Sequence, residues 1–345
     1  MNDTSPLTEP EQNNNDTKDS NQVDNADNGV NGVEDVKDVE ETAVPAPEPL
    51  DTSPLTMVRE PTEPAAEKEV AETRILVSRQ IEIASLENPH LQAAKVSHLG
   101  AIRDRNEDSC LIMTAQMAGH FEQLPFGLYI VADGMGGHMN GHEASNMAIR
   151  VATRQIINRI YLPMLQDTGN PLQTPVQEVL IQAVEDANDA IFDPDPEVDG
   201  GTTLTIALII GRRLHVAHVG DSRAYLLYDD RLEMVTDDHS LARRLQEVGQ
   251  LPTDEEAYYN IRHVLLRAVG QGDELEVDTY TLRLPPQGRL LLCSDGLSGM
   301  ITDAEIEGIL RQKTPPVKTA DSLCQAALTA GGHDNITAVV IDFNL

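Results

Sequence analysis

The chain has 345 residues carrying 57 acidic and 25 basic side chains, a formal charge of −32. That balance excludes a nucleic-acid binder, because counterion release along a phosphate backbone needs clustered Lys and Arg. With no Trp, seven Tyr and four Phe, the core must come from Leu, Ile, Val and Ala.

Residues 1–70 hold 18 acids, four bases and eight of the 20 prolines, with no aromatic residue. Such a segment cannot bury enough apolar surface to offset its ordering entropy, which predicts a disordered acidic tail. The hexapeptide Asp-Thr-Ser-Pro-Leu-Thr stands at 3–8 and again at 51–56. Plain low complexity accounts for it, and a docking or phosphoacceptor role stays open. Residues 71–91 read as a linker or accessory strand, and 92–345 as the folded domain. The amino terminus lacks a basic and apolar leader, and no apolar run approaches the roughly 18–20 residues that cross a bilayer. Cys110, Cys293 and Cys324 show no Cys-x-x-Cys spacing, as in a reducing compartment. The expectation is a cytoplasmic monomer engaging neither membrane nor nucleic acid.

Within the domain, Lys95 to His98 belong to a first strand, and residues 127–132 form a buried strand ending on Asp133-Gly134. Residues 143–160 place Met147, Val151, Ile156, Ile157 and Ile160 at helical spacing. Thr174-Pro175-Val176-Gln177 supplies an N-cap and a first-turn proline for a helix to about Ile191. A meander follows: Thr203 to Ile210, Leu214 to Val219, Ala224 to Tyr228 and Leu232 to Val235, with turns at Gly211-Arg212, Gly220-Asp221 and Asp229-Asp230. A short helix spans Ser240 to Val248 and stops at Gly249. Arg289 to Cys293 is a strand ending on Ser294-Asp295-Gly296. A helix capped by Thr302 and Glu305, another at about 319–330, and a closing strand from Ile336 to Phe343 complete the chain. Helices in pairs between antiparallel strands predict an α+β fold, two packed antiparallel β-sheets flanked by pairs of helices in an α-β-β-α layered sandwich.

Acids recur beside glycine or small polar residues: Glu107-Asp108, Asp133-Gly134, Gly220-Asp221, Asp295-Gly296 and Asp334-Asn335. One Asp-Gly is a turn. Several delivered from strand ends would repel one another unless cations neutralise them, and hard divalent ions such as Mg²⁺ or Mn²⁺ take oxygen ligands. A dinuclear carboxylate site is the physical inference. There is no phosphate loop and no dinucleotide fingerprint. His142-Glu143 lacks the second His of a zinc-protease helix, and Ser298 lacks a nucleophile elbow.

The stretch Gly100-Ala101-Ile102-Arg103-Asp104-Arg105-Asn106-Glu107-Asp108-Ser109 resembles the opening motif of the metal-dependent serine/threonine protein phosphatases, the protein phosphatase 2C family in its bacterial form. Val131 to His138, Gly201-Thr202-Thr203, Val219 to Tyr225, Asp238 to Leu241, Ala268-Val269-Gly270, Cys293 to Leu297 and Asp334 to Thr337 resemble its later motifs in order, across about 92–345. The resemblance implies hydrolysis of phosphoserine and phosphothreonine in proteins, opposing a serine/threonine kinase, with two Mg²⁺ or Mn²⁺ ions and a third, weaker one. It implies that Asp133 bridges the ions, that Asp295 and Asp334 complete the first site, and that the Gly134 carbonyl and Glu107 serve the second. Asp221 with Asp295 would take the third, Asp108 would stand behind the ligands, and Arg103 would grip the phosphate. A water activated by the ions would attack phosphorus in line. Met135 replaces the His of animal members, so the proton donor to the leaving group is open, with His138 and His142 as neighbours. Residues 239–270 resemble a flap beside the site. A non-catalytic regulator on the same fold is the rival reading.

Overall fold

The computed structural model describes residues 90–116, 124–136, 140–166, 174–192, 200–252, 254 and 260–345. The acidic tail, its repeated hexapeptide, residues 71–89 and His138 lie outside the described residues.

Strand β1 (His90–His98) begins two residues before the expected domain start and pairs with the closing strand. β2 (Asp108–Gln116) pairs with β3 (Pro125–Met135), whose first eight residues are all buried, as expected of a strand covered on both faces. Asp133 is not the end of β3. The strand runs on to Met135 and pairs there with β4 (Gly201–Thr202). Helix α1 (Asn140–Ile156) continues through a π turn, Ile157–Tyr161, and a short α segment, Leu162–Leu165. Its buried stripe is Ala148, Val151, Ala152, Ile156 and Ile160, whereas Met147 faces solvent. The small alanines, not the methionine, allow close approach to the sheet. Helix α2 (Val176–Ile191) ends where expected but starts one residue late, because Pro175 itself is the N-cap with extended ψ.

β5 (Leu204–Ile210), β6 (Arg213–Val219), β7 (Arg223–Tyr228) and β8 (Arg231–Met234) follow the expected meander in order, each bound within one residue of the expectation. They do not form one sheet. β5 and β6 lie in the sheet ordered β2-β3-β5-β6-β9 (β9, Asp278–Arg283), while β7 and β8 lie in the sheet ordered β1-β11-β10-β7-β8 (β10, Gln287–Cys293; β11, Ile336–Asn344). Gly220-Asp221-Ser222 is therefore a corner between sheets rather than a hairpin. Gly220 has φ +111°, and a Cβ there would sit 2.5 Å from Thr203 Cγ2, so only glycine fits. The other two turns are hairpins: Gly211-Arg212 joins β5 to β6, and Asp229-Asp230, both at positive φ as a type I′ turn requires, joins β7 to β8.

Helix α3 (Leu241–Glu247) is capped by Ser240, which accepts from the Arg243 amide. β9 (Asp278–Arg283), absent from the sequence expectation, adds to β6. β10 (Gln287–Cys293) leads into the short helix α4 (Asp295–Ser298). Helix α5 (Asp303–Leu310) carries the expected Thr302/Glu305 capping box, and α6 (Pro316–Thr329) starts earlier than expected, with Pro316 at N1. β11 (Ile336–Asn344) lies inside its sheet, between β1 and β10.

Three apolar layers follow. Helices α1 and α2 cover one sheet through Ala148, Ile156, Leu180 and Val184 against Leu128, Ile130 and Ile206. The two sheets meet through Tyr129, Val131, Leu214, Leu226, Leu290 and Val339. Helices α4 to α6 cover the other sheet through Leu297, Ile306, Leu323 and Cys324. Each fully buried aliphatic side chain in these layers contributes about 1.5–3 kcal/mol. This is the expected α-β-β-α sandwich. Among the described residues no helix is long and apolar enough to cross a membrane.

Candidate active site

The acids converge where strands of both sheets end. Asp108 and Asp133 are direct partners across β2 and β3, an arrangement that costs free energy when both are ionised. Burial first, then repulsion from Asp108, Asp295, Asp221 and Asp334, holds Asp133 well above the ordinary carboxylate range. Asp108 is pushed up to about 7, mainly by burial and against hydrogen bonds from Thr337 and Ser294. Ser294 Oγ donates to its Oδ2 at 2.8 Å, while Oδ1 is buried with no partner. Burial, then Asp295 and Asp238, raises Asp221 as well. Asp295 goes the other way: burial opposes it, but His263, with Nδ1 at 3.2 Å from Oδ2, keeps it below the usual value.

The main chain beneath these acids is pinned by hydroxyls and one amide. Thr203 Oγ1 accepts from the Asp133 amide at 2.9 Å and lies 2.8 Å from Ser222 Oγ, joining the Asp133 and Asp221 segments. Thr202 Oγ1 donates to the Asp133 carbonyl. The Glu107 carbonyl accepts from the Gly134 amide and from Ser145 Oγ. A Cβ on Gly134 would run into the Gly141 carbonyl, so α1 enters against bare backbone. Asn335 clamps the remaining loop: its Oδ1 accepts from the Glu107 amide at 2.8 Å, and its Nδ2 donates to the Leu99 and Arg105 carbonyls, each at 2.9 Å. Arg103, on that loop and 51% exposed, donates to Asp334 Oδ2 at 2.7 Å.

The result is a cleft of about 450 Å³ whose walls include Arg103, Glu107, Asp133, Gly134, Asp221, Asp295 and Asp334, every expected ligand and the expected phosphate grip. Asp108 is buried and is not among the residues that line the cleft. Met135 also lines the cleft, so no His occupies that position. Among the described residues no three His, Cys, Asp or Glu side chains already form a closed cage for an ion. Asp334 is turned to Arg103 and Asp295 to His263 instead. The donor set nevertheless suits hard cations: oxygen ligands from Glu107, Asp133, Asp221, Asp295 and Asp334 crowd one cleft, and mutual repulsion helps hold Asp133 and Asp221 above the ordinary carboxylate range.

Residues 93–247 match the family described as Protein phosphatase 2C. The serine/threonine phosphatase stp of Listeria innocua serovar 6a is 36% identical over 248 residues, covering 71% of this chain and 93% of that protein. The chain belongs to the protein phosphatase 2C family. A crystal structure of the Mycobacterium tuberculosis serine/threonine phosphatase PstP/Ppp superposes with a TM-score of 0.59 at 34% identity, over 74% of this chain and 99% of that one. The PstP catalytic domain in complex with two manganese ions gives a TM-score of 0.58 at 36% identity, over 73% and 98%. The protein is a metal-dependent serine/threonine protein phosphatase of the bacterial type.

In this phosphatase the flap-like region supplies Arg262, His263 and Leu265 to the cleft, and His333 and Met300 complete its rim. None of these was singled out from sequence. The clamp Asn335 was legible only as the neighbour of Asp334, and Thr203 only as part of Gly201-Thr202-Thr203.

Proposed function

We propose that the phosphatase hydrolyses phosphoserine and phosphothreonine in proteins at a dinuclear Mg²⁺ or Mn²⁺ site, in the cytoplasm and as a monomer, reversing the action of a serine/threonine kinase. The observation that carries this reading is the convergence of Glu107, Asp133, Asp221, Asp295 and Asp334 on one cleft beside Arg103. Asp133 would serve both ions, Asp295 and Asp334 the first, and the Gly134 carbonyl and Glu107 the second, with Asp221 and Asp295 left for a weaker third. When bound, such ions would supply charge neutralisation and make a water acidic enough to attack near neutral pH.

The chain's own residues do the rest. Arg103 exchanges its carboxylate partner for the equatorial oxygens of the phosphoryl group, which a guanidinium can bind by two parallel hydrogen bonds. Asn335 holds the loop that aims it. Thr202 and Thr203 fix the main chain at Asp133, so the acids are placed before substrate arrives. The three cysteines are unpaired, in keeping with a reducing compartment.

The reading is tested by hydrolysing a phosphothreonine peptide with Mn²⁺ in ¹⁸O-labelled water. One ¹⁸O should enter the released phosphate and none the threonine, without a burst of peptide release. A burst stoichiometric with enzyme would indicate a phosphoenzyme and overturn direct attack by water.

A further inference from the structure

The corner that carries Asp221 is held in an unusual way. Both polar main-chain atoms of Gly220 are taken by one residue: the Gly220 carbonyl accepts from the His239 amide at 2.7 Å, and the Gly220 amide donates to His239 Nδ1 at 3.2 Å. With Nδ1 an acceptor, the neutral ring carries its proton on Nε2, which lies 3.2 Å from Asp278 Oδ2. Arg267 Nη1 donates to Asp278 Oδ1 at 2.9 Å and also lies 3.3 Å from His239 Nε2; a guanidinium only donates, so with Nε2 protonated the ring's partner at this edge is Asp278. His239 is buried and stacks obliquely on His218, ring centroids 4.8 Å apart. Its own carbonyl accepts from the Leu266 amide at 2.7 Å, within the segment that brings His263 to Asp295 and Leu265 to the cleft.

We infer that His239 is the positioning residue of the Asp221 corner: its imidazole fixes Gly220, and thereby sets where the Asp221 carboxylate meets a divalent cation. Gly220 has no side chain with which to anchor itself, so at its positive φ these two bonds hold its own main chain, while Thr203 and Thr205 hold Ser222 on the other side of Asp221. Asp278 acts one step further out, by orienting the ring. The same residue ties the corner to the 263–266 segment, so cation occupancy at Asp221 and the wall of the cleft respond together.

This inference rests on the assignment of Asp221 to a weaker cation site. The test is calorimetric titration of the full chain with Mn²⁺ for wild type, Asp221→Asn, His239→Ala and His239→Asn. Asp221→Asn should abolish the weak binding step. His239→Ala should weaken it about 10–100-fold, the usual cost of losing a residue that orients a ligand, and leave the tighter steps unchanged. His239→Asn, whose amide oxygen replaces Nδ1 as acceptor, should restore most of the affinity. If Asp221→Asn leaves the weak step intact, the cation reading of Asp221 falls and the inference with it. If Asp221→Asn abolishes the step while His239→Ala leaves it unchanged, the inference alone falls. Should His239→Ala fail to fold, long-range ¹H–¹⁵N correlation of the wild-type imidazoles decides: an Nε2–H tautomer at His239 is required, and an Nδ1–H tautomer overturns the inference.

Discussion

Arg103 Nη2 lies 2.7 Å from Asp334 Oδ2, so the expected phosphate grip and an expected metal ligand are bonded to each other. A cation at Asp334 would compete with the guanidinium and free it for substrate. Inorganic phosphate should therefore bind more tightly with Mn²⁺ present than with EDTA. Arg103→Ala should raise KM for a phosphothreonine peptide about tenfold to hundredfold, the worth of a charge-assisted hydrogen bond of about 1.5–3 kcal/mol. Arg103→Lys should recover only part of this, because an ammonium cannot form the paired bonds. Steady-state kinetics on the two variants checks the prediction.

Asn335 satisfies the Glu107 amide and two carbonyls on the Arg103 loop. Asn335→Ala leaves all three without this partner and should cost about 2–4 kcal/mol of unfolding free energy. Urea titration measures the stability loss. A parallel fall in kcat/KM at temperatures where the variant is fully folded would show that the loop's aim is lost as well.

Asp108 has its carboxyl raised to about 7, first by burial. A raised carboxyl contributes stability that is complete below its unfolded value near 4 and disappears as pH climbs through 7. In EDTA, Asp108→Asn should therefore match wild type near pH 3.5, already melt slightly higher at pH 5 and melt clearly higher at pH 8. Excess Mn²⁺ should shrink that advantage, because cations favour the ionised wild-type group. Thermal melts at the three pH values check the sign.

His218 shows the opposite linkage. Burial, then the neighbouring His239, lowers it to about 3, with Nδ1 at 2.9 Å from Thr205 Oγ1 and Nε2 at 3.1 Å from the Asp237 carbonyl. Its contribution is complete above about 6.5 and is lost as pH falls toward 3, at up to about 1.4 kcal/mol per pH unit. His218→Gln should flatten the acid side of the stability profile between pH 6.5 and 4.5, as followed by urea midpoints.

The layered fold was legible because strand burial and helix caps are local signals: the eight buried residues opening β3, the Thr302/Glu305 box and the glycines ending helices each act within a few residues. What sequence could not show was sheet membership. The chain around Gly220 has the local pattern of a hairpin, and only packing of two sheets turns it into a corner. β9 was missed because Asp278 to Arg283 alternates weakly and is only half buried. Within the site, the acids stood out by their glycine neighbours. The residues that hold them did not: Asn335, Ser294 and His239 act through partners 19 to 236 positions away, and no local pattern announces such bonds.

The central claim is that buried carboxylates at one cleft hold the cations that make hydrolysis possible. The most direct test is the rate of phosphothreonine peptide hydrolysis by wild type and by Asp133→Asn, each in Mn²⁺ and in EDTA. Turnover is expected only for wild type in Mn²⁺, with the other three combinations lower by about two to three orders of magnitude. Wild-type turnover that persists in EDTA, or Asp133→Asn turnover near the wild-type rate in Mn²⁺, would contradict it.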